Sequence, residues 1–267
     1  MNTIEMKDIH FSYTEKEEIL KGINITIDER STAIIGQNGA GKTTFVKLLK
    51  GLLRPNSGKI LLNGTDIADM TVAALAKDIG LIFQNPNDQI FKNTVLSEVM
   101  FGPLQMGMSK AQAEESARKA LEMVGLMNME KINPYDLGLS DRKLVSIAAI
   151  VAMDTKVIIF DEPTIAQDYM GKERIKKIMK DLRAQGKIVI SILHDMDFVA
   201  ETFERAIVFA KGNVLLDGDV KTVFSQKDVL EEAYLEQPST AKLCHELGYG
   251  EIFLTPEEFI AMKQKEA

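Results

Sequence analysis

The sequence predicts an α/β fold built on a parallel sheet buried on both faces. An N-terminal β part, an inserted helical part and a small C-terminal helical appendage are added to it. Three observations predict this. The runs 157–160, 188–192 and 206–209 are continuously apolar rather than alternating, and most are followed by helical patterns. Strands covered on both faces by crossover helices have that look. A glycine-rich turn stands between the short apolar run 32–35 and a helix. From residue 94 to about 128 the strand pattern disappears, and Met, Ala, Glu and Lys recur at helical spacing.

In chain order, residues 4–13 and 19–27 read as strands separated by a charged turn at 15–18. The run 32–35 leads through the glycine-rich turn into a helix over about 42–51, stopped by Gly51 and Pro55. Residues 59–62 and 79–83 read as further strands. The helical insert spans about 94–152 and follows the loop 85–88. The main domain is expected to cover 1–225. Residues 226–267 read as an appendage of short helices broken at Pro238, Gly248 and Pro256.

Length and composition narrow the function. A chain of 267 residues is long for one core, which suits one main domain with additions. The net charge of −7 offers no electrostatic footprint for nucleic acid. A single cysteine, Cys244, excludes an intrachain disulfide and reads as a small buried apolar residue. The first eight residues lack the basic flank and apolar run of a signal peptide. No stretch is long and apolar enough to span a bilayer. Service to a membrane would be from the cytoplasmic face, through partners.

The residues Gly36-Gln37-Asn38-Gly39-Ala40-Gly41-Lys42-Thr43 match the phosphate-loop pattern, and Thr44 follows. Glycines let the backbone wrap an anion with its N–H groups inward. The next helix presents its positive end to the phosphates. Lys42 is placed to reach the terminal phosphates of ATP, and Thr43 to put a hydroxyl on Mg²⁺. Downstream, Ile158-Ile159-Phe160-Asp161-Glu162 ends a buried strand in two carboxylates. Asp161 can hold Mg²⁺, and Glu162 can polarise the attacking water.

These motifs resemble the ATPase subunits of ATP-binding cassette transporters, up to about residue 224. The resemblance implies a P-loop NTPase with a RecA-like core. It implies that Gln84 is the Q-loop glutamine, touching Mg²⁺ and linking the ATP site to a membrane partner. His194 looks like the switch histidine on the γ-phosphate, and Asp168 stands where the D-loop aspartate belongs. Tyr13 is placed like the aromatic that stacks on adenine, although a strand-end core aromatic would look the same. The stretch Phe83-Gln84-Asn85-Pro86-Asn87-Asp88-Gln89-Ile90-Phe91, with Val95 and Phe101-Gly102-Pro103, is similar to energy-coupling-factor and cobalt-type importers of vitamins or transition-metal ions. In that group two ATPases sit under a transmembrane coupling protein and a substrate-binding membrane protein.

One motif departs from the family. The signature Leu-Ser-Gly-Gly-Gln, which caps ATP on the opposite subunit, corresponds to Leu137-Gly138-Leu139-Ser140-Asp141. A shift that aligns Leu139-Ser140 with its first two positions would displace the apolar register of 145–153. Gly138 removes a hydroxyl donor, and Leu139 and Ser140 replace close-approach glycines. Asp141 brings a like charge towards phosphate, a repulsion on the order of a few kcal/mol at a partly buried distance. Arg142 and Lys143 are expected to offset part of it. For the helix itself, Ser140-Asp141 reads as a cap followed by an acid suited to the dipole. The D-loop stretch Ile165-Ala166-Gln167 is also unusual.

The expected partner is therefore a second, different ATPase with an intact signature. Two readings compete. A cassette protein of translation or DNA repair usually has two cassettes, a long coiled coil or zinc-binding cysteines, and this chain has none of them. A regulatory, nucleotide-binding subunit would suit the altered signature but not the intact Glu162 and His194.

Overall fold

The computed structural model describes residues 2–15 and 17–266. Met1, and Lys16 of the expected turn 15–18, lie outside them. In chain order the chain forms β1 (Ile4–Thr14), β2 (Glu17–Ile27), β3 (Thr32–Ile35), α1 (Lys42–Leu49), β4 (Ser57–Leu62) and β5 (Thr65–Asp66). Next come α2 (Val72–Leu75), β6 (Ile79–Ile82), α3 (Val95–Gln105), α4 (Lys110–Met123), α5 (Leu139–Val151), β7 (Val157–Asp161) and α6 (Tyr169–Ala184). The chain ends with β8 (Ile188–Ile192), α7 (Met196–Thr202), β9 (Arg205–Ala210), β10 (Asn213–Asp219), α8 (Val220–Ser225), α9 (Lys227–Glu232), α10 (Ser239–Glu246) and α11 (Pro256–Glu266). These elements fall into two compact units, Met1–Ala68 with Ile192–Ala267, and Asp69–Ser191.

In the first unit, an antiparallel sheet runs β2-β1-β4-β5. Its apolar residues alternate with polar ones: Ile4 pairs with Ile27 on one side and Leu62 on the other, and all three are buried. One face therefore meets the core and the other meets water. The same unit holds β10-β9-β3. Here β3 and β9 are parallel, with Ile35 beside Val208, and every residue of both strands is buried. Arg205 opens β9 with a buried guanidinium. It donates to both carboxylate oxygens of Asp217 at 2.6 Å and to the Thr26 carbonyl at 2.7 Å. Cys244 is buried in α10, as a small apolar residue would be.

In the second unit, the strands run β8-β7-β6, with β6 parallel to β7 and Ile82 opposite Phe160. Helices α3, α4 and α5 pack on one another. Thr94 and Ser109 open α3 and α4 with reciprocal capping boxes. Ala113, Ala117 and Leu121 recur every four residues on the buried face of α4. Seven consecutive residues of α5, Lys143 to Ala149, are buried, so this helix has almost no solvent face. In the insert, Val95, Val99 and Met100 are core while Leu104 is exposed.

The elements differ from expectation in several places, among them the turn expected at 15–18, whose Glu17 and Glu18 lie in β2. The first helix stops at Leu49 because Gly51 turns left-handed at φ 69°. The strand expected over 79–83 ends at Ile82, where the Phe83 N–H turns to the Gln89 side chain. After β9 comes an unexpected strand, β10, in an antiparallel hairpin. Its turn, Lys211-Gly212, has both φ angles positive, the geometry that matches the twist of paired strands.

Candidate ATP site

The phosphate loop lies in the first unit, between β3 and α1. Gly36 has φ 151°, and a Cβ there would lie 2.2 Å from the Phe209 carbonyl oxygen of β9. Only glycine fits so close to a neighbouring strand. Gly39 is also left-handed, at φ 80°, but no atom lies within 4 Å of its would-be Cβ. Asn38, Gly39 and Thr43 are exposed, whereas Gly36, Gly41, Lys42 and Thr44 are buried. Gly41 is the N-cap of α1 and brings no capping side chain. The Lys42 ammonium donates to the Gly36 carbonyl at 2.6 Å and the Gln37 carbonyl at 2.9 Å. The loop thus holds its own lysine against the turn that would cradle phosphate.

Tyr13 is not a core aromatic. It is 56% exposed, its ring meets Phe11 edge-on, and its hydroxyl lies 3.3 Å from Thr44 Oγ1. Its ring is therefore more than half open to solvent beside the loop, as the expected stacking role requires. His194 is exposed and precedes α7, whose N-cap, Asp195, accepts from the Phe198 N–H at 3.0 Å.

The second unit holds the carboxylates. Asp161 is the last residue of β7, and Glu162 follows with φ 46°, left-handed for a residue that has a Cβ. Such backbone costs roughly 1 kcal/mol and persists where surrounding contacts impose it. The Gln84 amide donates to Glu162 Oε2 at 3.0 Å. The structure therefore joins the glutamine expected to serve as the Q-loop residue directly to the glutamate expected to orient water.

The stretch expected to be the altered signature opens α5, and here the structure corrects one expectation. The N-cap is Gly138, with no side-chain hydrogen bond, so Ser140 is not the cap. Ser140 lies inside the first turn and donates instead to Gln167 Oε1 at 2.7 Å. Arg142 and Lys143, the cations expected to offset part of the Asp141 charge, bond groups on other segments. Arg142 donates to the carbonyls of Leu137 and Tyr135 and to the Asn87 amide oxygen. Lys143 is 2% exposed and donates to the carbonyls of Phe83, at 3.1 Å, and Gln84. Burial pushes its pKa down to about 8, while the charges of Asp161 and Glu162 pull it back up. Asp168 caps α6, accepting from the Gly171 N–H at 2.7 Å. Before it, Ala166 is left-handed at φ 58°.

Sequence reasoning missed the Lys143 contact with the Q-loop and the Ser140–Gln167 bond. A signal for the first was present. Lys143 shares the helical face of Ile147 and Ile150, four and seven residues on. A lysine on an apolar face is either misplaced or bonded.

A family model described as ABC transporter matches residues 20–165. A putative ABC transporter ATP-binding protein of Pyrococcus furiosus is 38% identical over 245 residues, covering 92% of this chain and 94% of that one. The energy-coupling factor transporter ATP-binding protein EcfA of Methanocaldococcus jannaschii is 37% identical over 246 residues, 91% of this chain and 88% of its own. Among solved structures, CbiO1 of Clostridium perfringens, part of the ABC transporter complex CbiONQ, has a TM-score of 0.79 at 31% identity, over 91% of this chain and 98% of that one. An ATP-binding cassette solved as a post-hydrolysis dimer with ADP and Pi has a TM-score of 0.73 at 26% identity, over 81% and 98%. The chain belongs to the ABC transporter family, as an ATP-binding subunit. It binds ATP and hydrolyses it to power transport.

Proposed function

We propose that this chain energises an importer of energy-coupling-factor type for a vitamin or a transition-metal ion. It works as one half of an ATPase dimer whose other half is a different ABC ATPase with an intact signature. The pair sits peripherally on the cytoplasmic face, under a transmembrane coupling protein and a substrate-binding membrane protein. The likeness to EcfA and CbiO1 supports the transporter class. Among the described residues no helix is long and apolar enough to cross a membrane, which fits a subunit that relies on membrane partners.

One observation carries the dimer reading. Gln84 donates to Glu162, the residue read as orienting water, at 3.0 Å, while the helix that would cap the partner's ATP begins at Gly138 with no capping side chain and carries Asp141 in its first turn. This chain is built to hydrolyse its own ATP and poorly built to complete the site on its partner.

The donor set suits Mg²⁺. Thr43 offers a hydroxyl, Asp161 a carboxylate and Gln84 an amide oxygen, all hard ligands for a cation that also keeps water and phosphate oxygens. Bound there, Mg²⁺ would neutralise charge on the β- and γ-phosphates. The rest is done by the chain. The backbone of 36–43 cradles phosphate, and Lys42 exchanges its loop carbonyls for the terminal phosphates. Tyr13 stacks on adenine. Glu162, oriented by Gln84, accepts a proton from the attacking water. His194 contacts the γ-phosphate, and Asp168 steadies the D-loop at the dimer face. Gln84 and the insert around 94–152 pass the motion to the membrane partner, while 226–267 adds contacts in the dimer.

The test uses the complex pulled from its own membranes through a tag on this chain. Native mass should show a second, different ATPase. Glu162→Gln should nearly abolish ATP turnover, and the matching change in the partner should do much less. Equal losses from the two changes, or two copies of this chain alone, would sink the reading.

A further inference from the structure

Phe83 and Gln84 are exposed as residues, but their carbonyls turn inward to part-buried positions. Both carbonyls are bonded by Lys143, an ammonium buried to 2% exposure on the helix that follows the signature. Burying an ammonium is costly, and two bonds to carbonyls return only part of that cost. What these bonds do is make the position of this stretch depend on α5. Two further contacts act in the same direction. The Gln89 amide donates to the Ser146 carbonyl of α5 at 3.0 Å while its oxygen accepts from the Phe83 N–H at 3.0 Å. Arg142 donates to Asn87 at 3.0 Å. The chain of contacts then runs from the Gln84 backbone, held by Lys143, to the Gln84 amide and on to Glu162 Oε2.

We propose that Lys143 is a positioning residue for ATP hydrolysis, tying the helix behind the altered signature to the Gln84 backbone and so setting the Gln84 amide on the Glu162 carboxylate. The signature helix, weakened toward the partner's nucleotide, is thereby wired to this chain's own hydrolytic pair. The ammonium also lies in the field of Asp161 and Glu162, so it offsets part of the negative charge that two adjacent carboxylates bring to a phosphoryl-transfer site. The proposal rests on the assignment of Gln84 and Glu162 made above.

The experiment measures ATP turnover and affinity for a fluorescent ATP analogue in the intact complex. Lys143→Gln loses the charge and falls short of the carbonyls. It should lower kcat about 10- to 100-fold, as a misplaced catalytic group does, with Kd changed less than about twofold. Lys143→Arg, which keeps charge and donors, should return to within about threefold of wild type. In a Gln84→Ala background, Lys143→Gln should cost no more than about a further twofold, since the two changes break one chain of contacts. Should Lys143→Gln not accumulate, Lys143→Met keeps the volume and carries the same expectations. Equal losses in both backgrounds, or a kcat loss matched by an equal loss of affinity, would mean that Lys143 only supports the fold, and the proposal would be overturned. Glu162→Gln runs alongside: if it leaves turnover intact, the site assignment falls and this proposal with it.

Discussion

Gly36→Ala isolates what the sheet demands of the phosphate loop. The new Cβ would stand 2.2 Å from the Phe209 carbonyl oxygen, about 1 Å inside normal contact. Phe209 cannot yield, because β9 is paired on one side with β3 and on the other with β10, where Phe209 faces Val214. The loop must move instead, and the residue must also leave a φ of 151° that favours glycine. Overpacking and backbone strain together should cost roughly 3 kcal/mol. For a chain of this size that lowers Tm by about 6–12 °C. Moving the phosphate-binding amides by about 1 Å should also weaken ATP binding at least tenfold. Thermal unfolding and titration with a fluorescent ATP analogue measure the two effects. Gly39→Ala is the internal comparison for stability: its φ is 80° but no atom lies within 4 Å, so only the left-handed cost of about 1 kcal/mol applies. If Gly36→Ala melts no lower than Gly39→Ala, the close approach to Phe209 does not constrain the loop and the argument fails.

Two further predictions concern stability. Lys50, at the end of α1, has its pKa pushed by burial from an ordinary 10.5 down to about 8. Between pH 8 and 10.5 the unfolded chain holds this proton and the folded chain does not, so stability gained from this group rises with pH across that window and is lost as pH falls through 8. The stability of Lys50→Met relative to the wild type should therefore fall by roughly 1–2 kcal/mol from pH 8 to pH 10.5, allowing for partial exposure. Denaturant unfolding at the two pH values distinguishes this from a pH-independent packing gain. Arg205→Leu strands Asp217 and the Thr26 carbonyl and should cost about 3 kcal/mol, with much of it returned by adding Asp217→Leu. Additive losses in the double variant would show no coupling between Arg205 and Asp217, and the argument from a stranded charge would fail.

Much of the site is legible in the chain because its chemistry is local. A strand, three glycines, Lys42 and Thr43 lie within a dozen residues, and backbone geometry allows few other uses for that order. The carboxylates Asp161 and Glu162 are equally local, fixed by a buried strand that ends on them. Continuous apolar runs gave away β3, β7, β8 and β9, because strands covered on both faces leave no polar alternation. By contrast β10 was hidden: its residues are half-buried on an edge, and only the turn Lys211-Gly212 marked it. What the tertiary structure alone decided was where side chains go once helices pack. Ser140 looks like a cap in sequence, yet it bonds Gln167, 27 residues away. Lys143 looks like a surface cation two residues from Asp141, yet the burial of α5 turns it to the Q-loop 59 residues upstream. Gln84 and Glu162, 78 residues apart, meet at 3.0 Å. Sequence spacing fixes neighbours along one element, whereas bonds between elements are set by which faces the core covers.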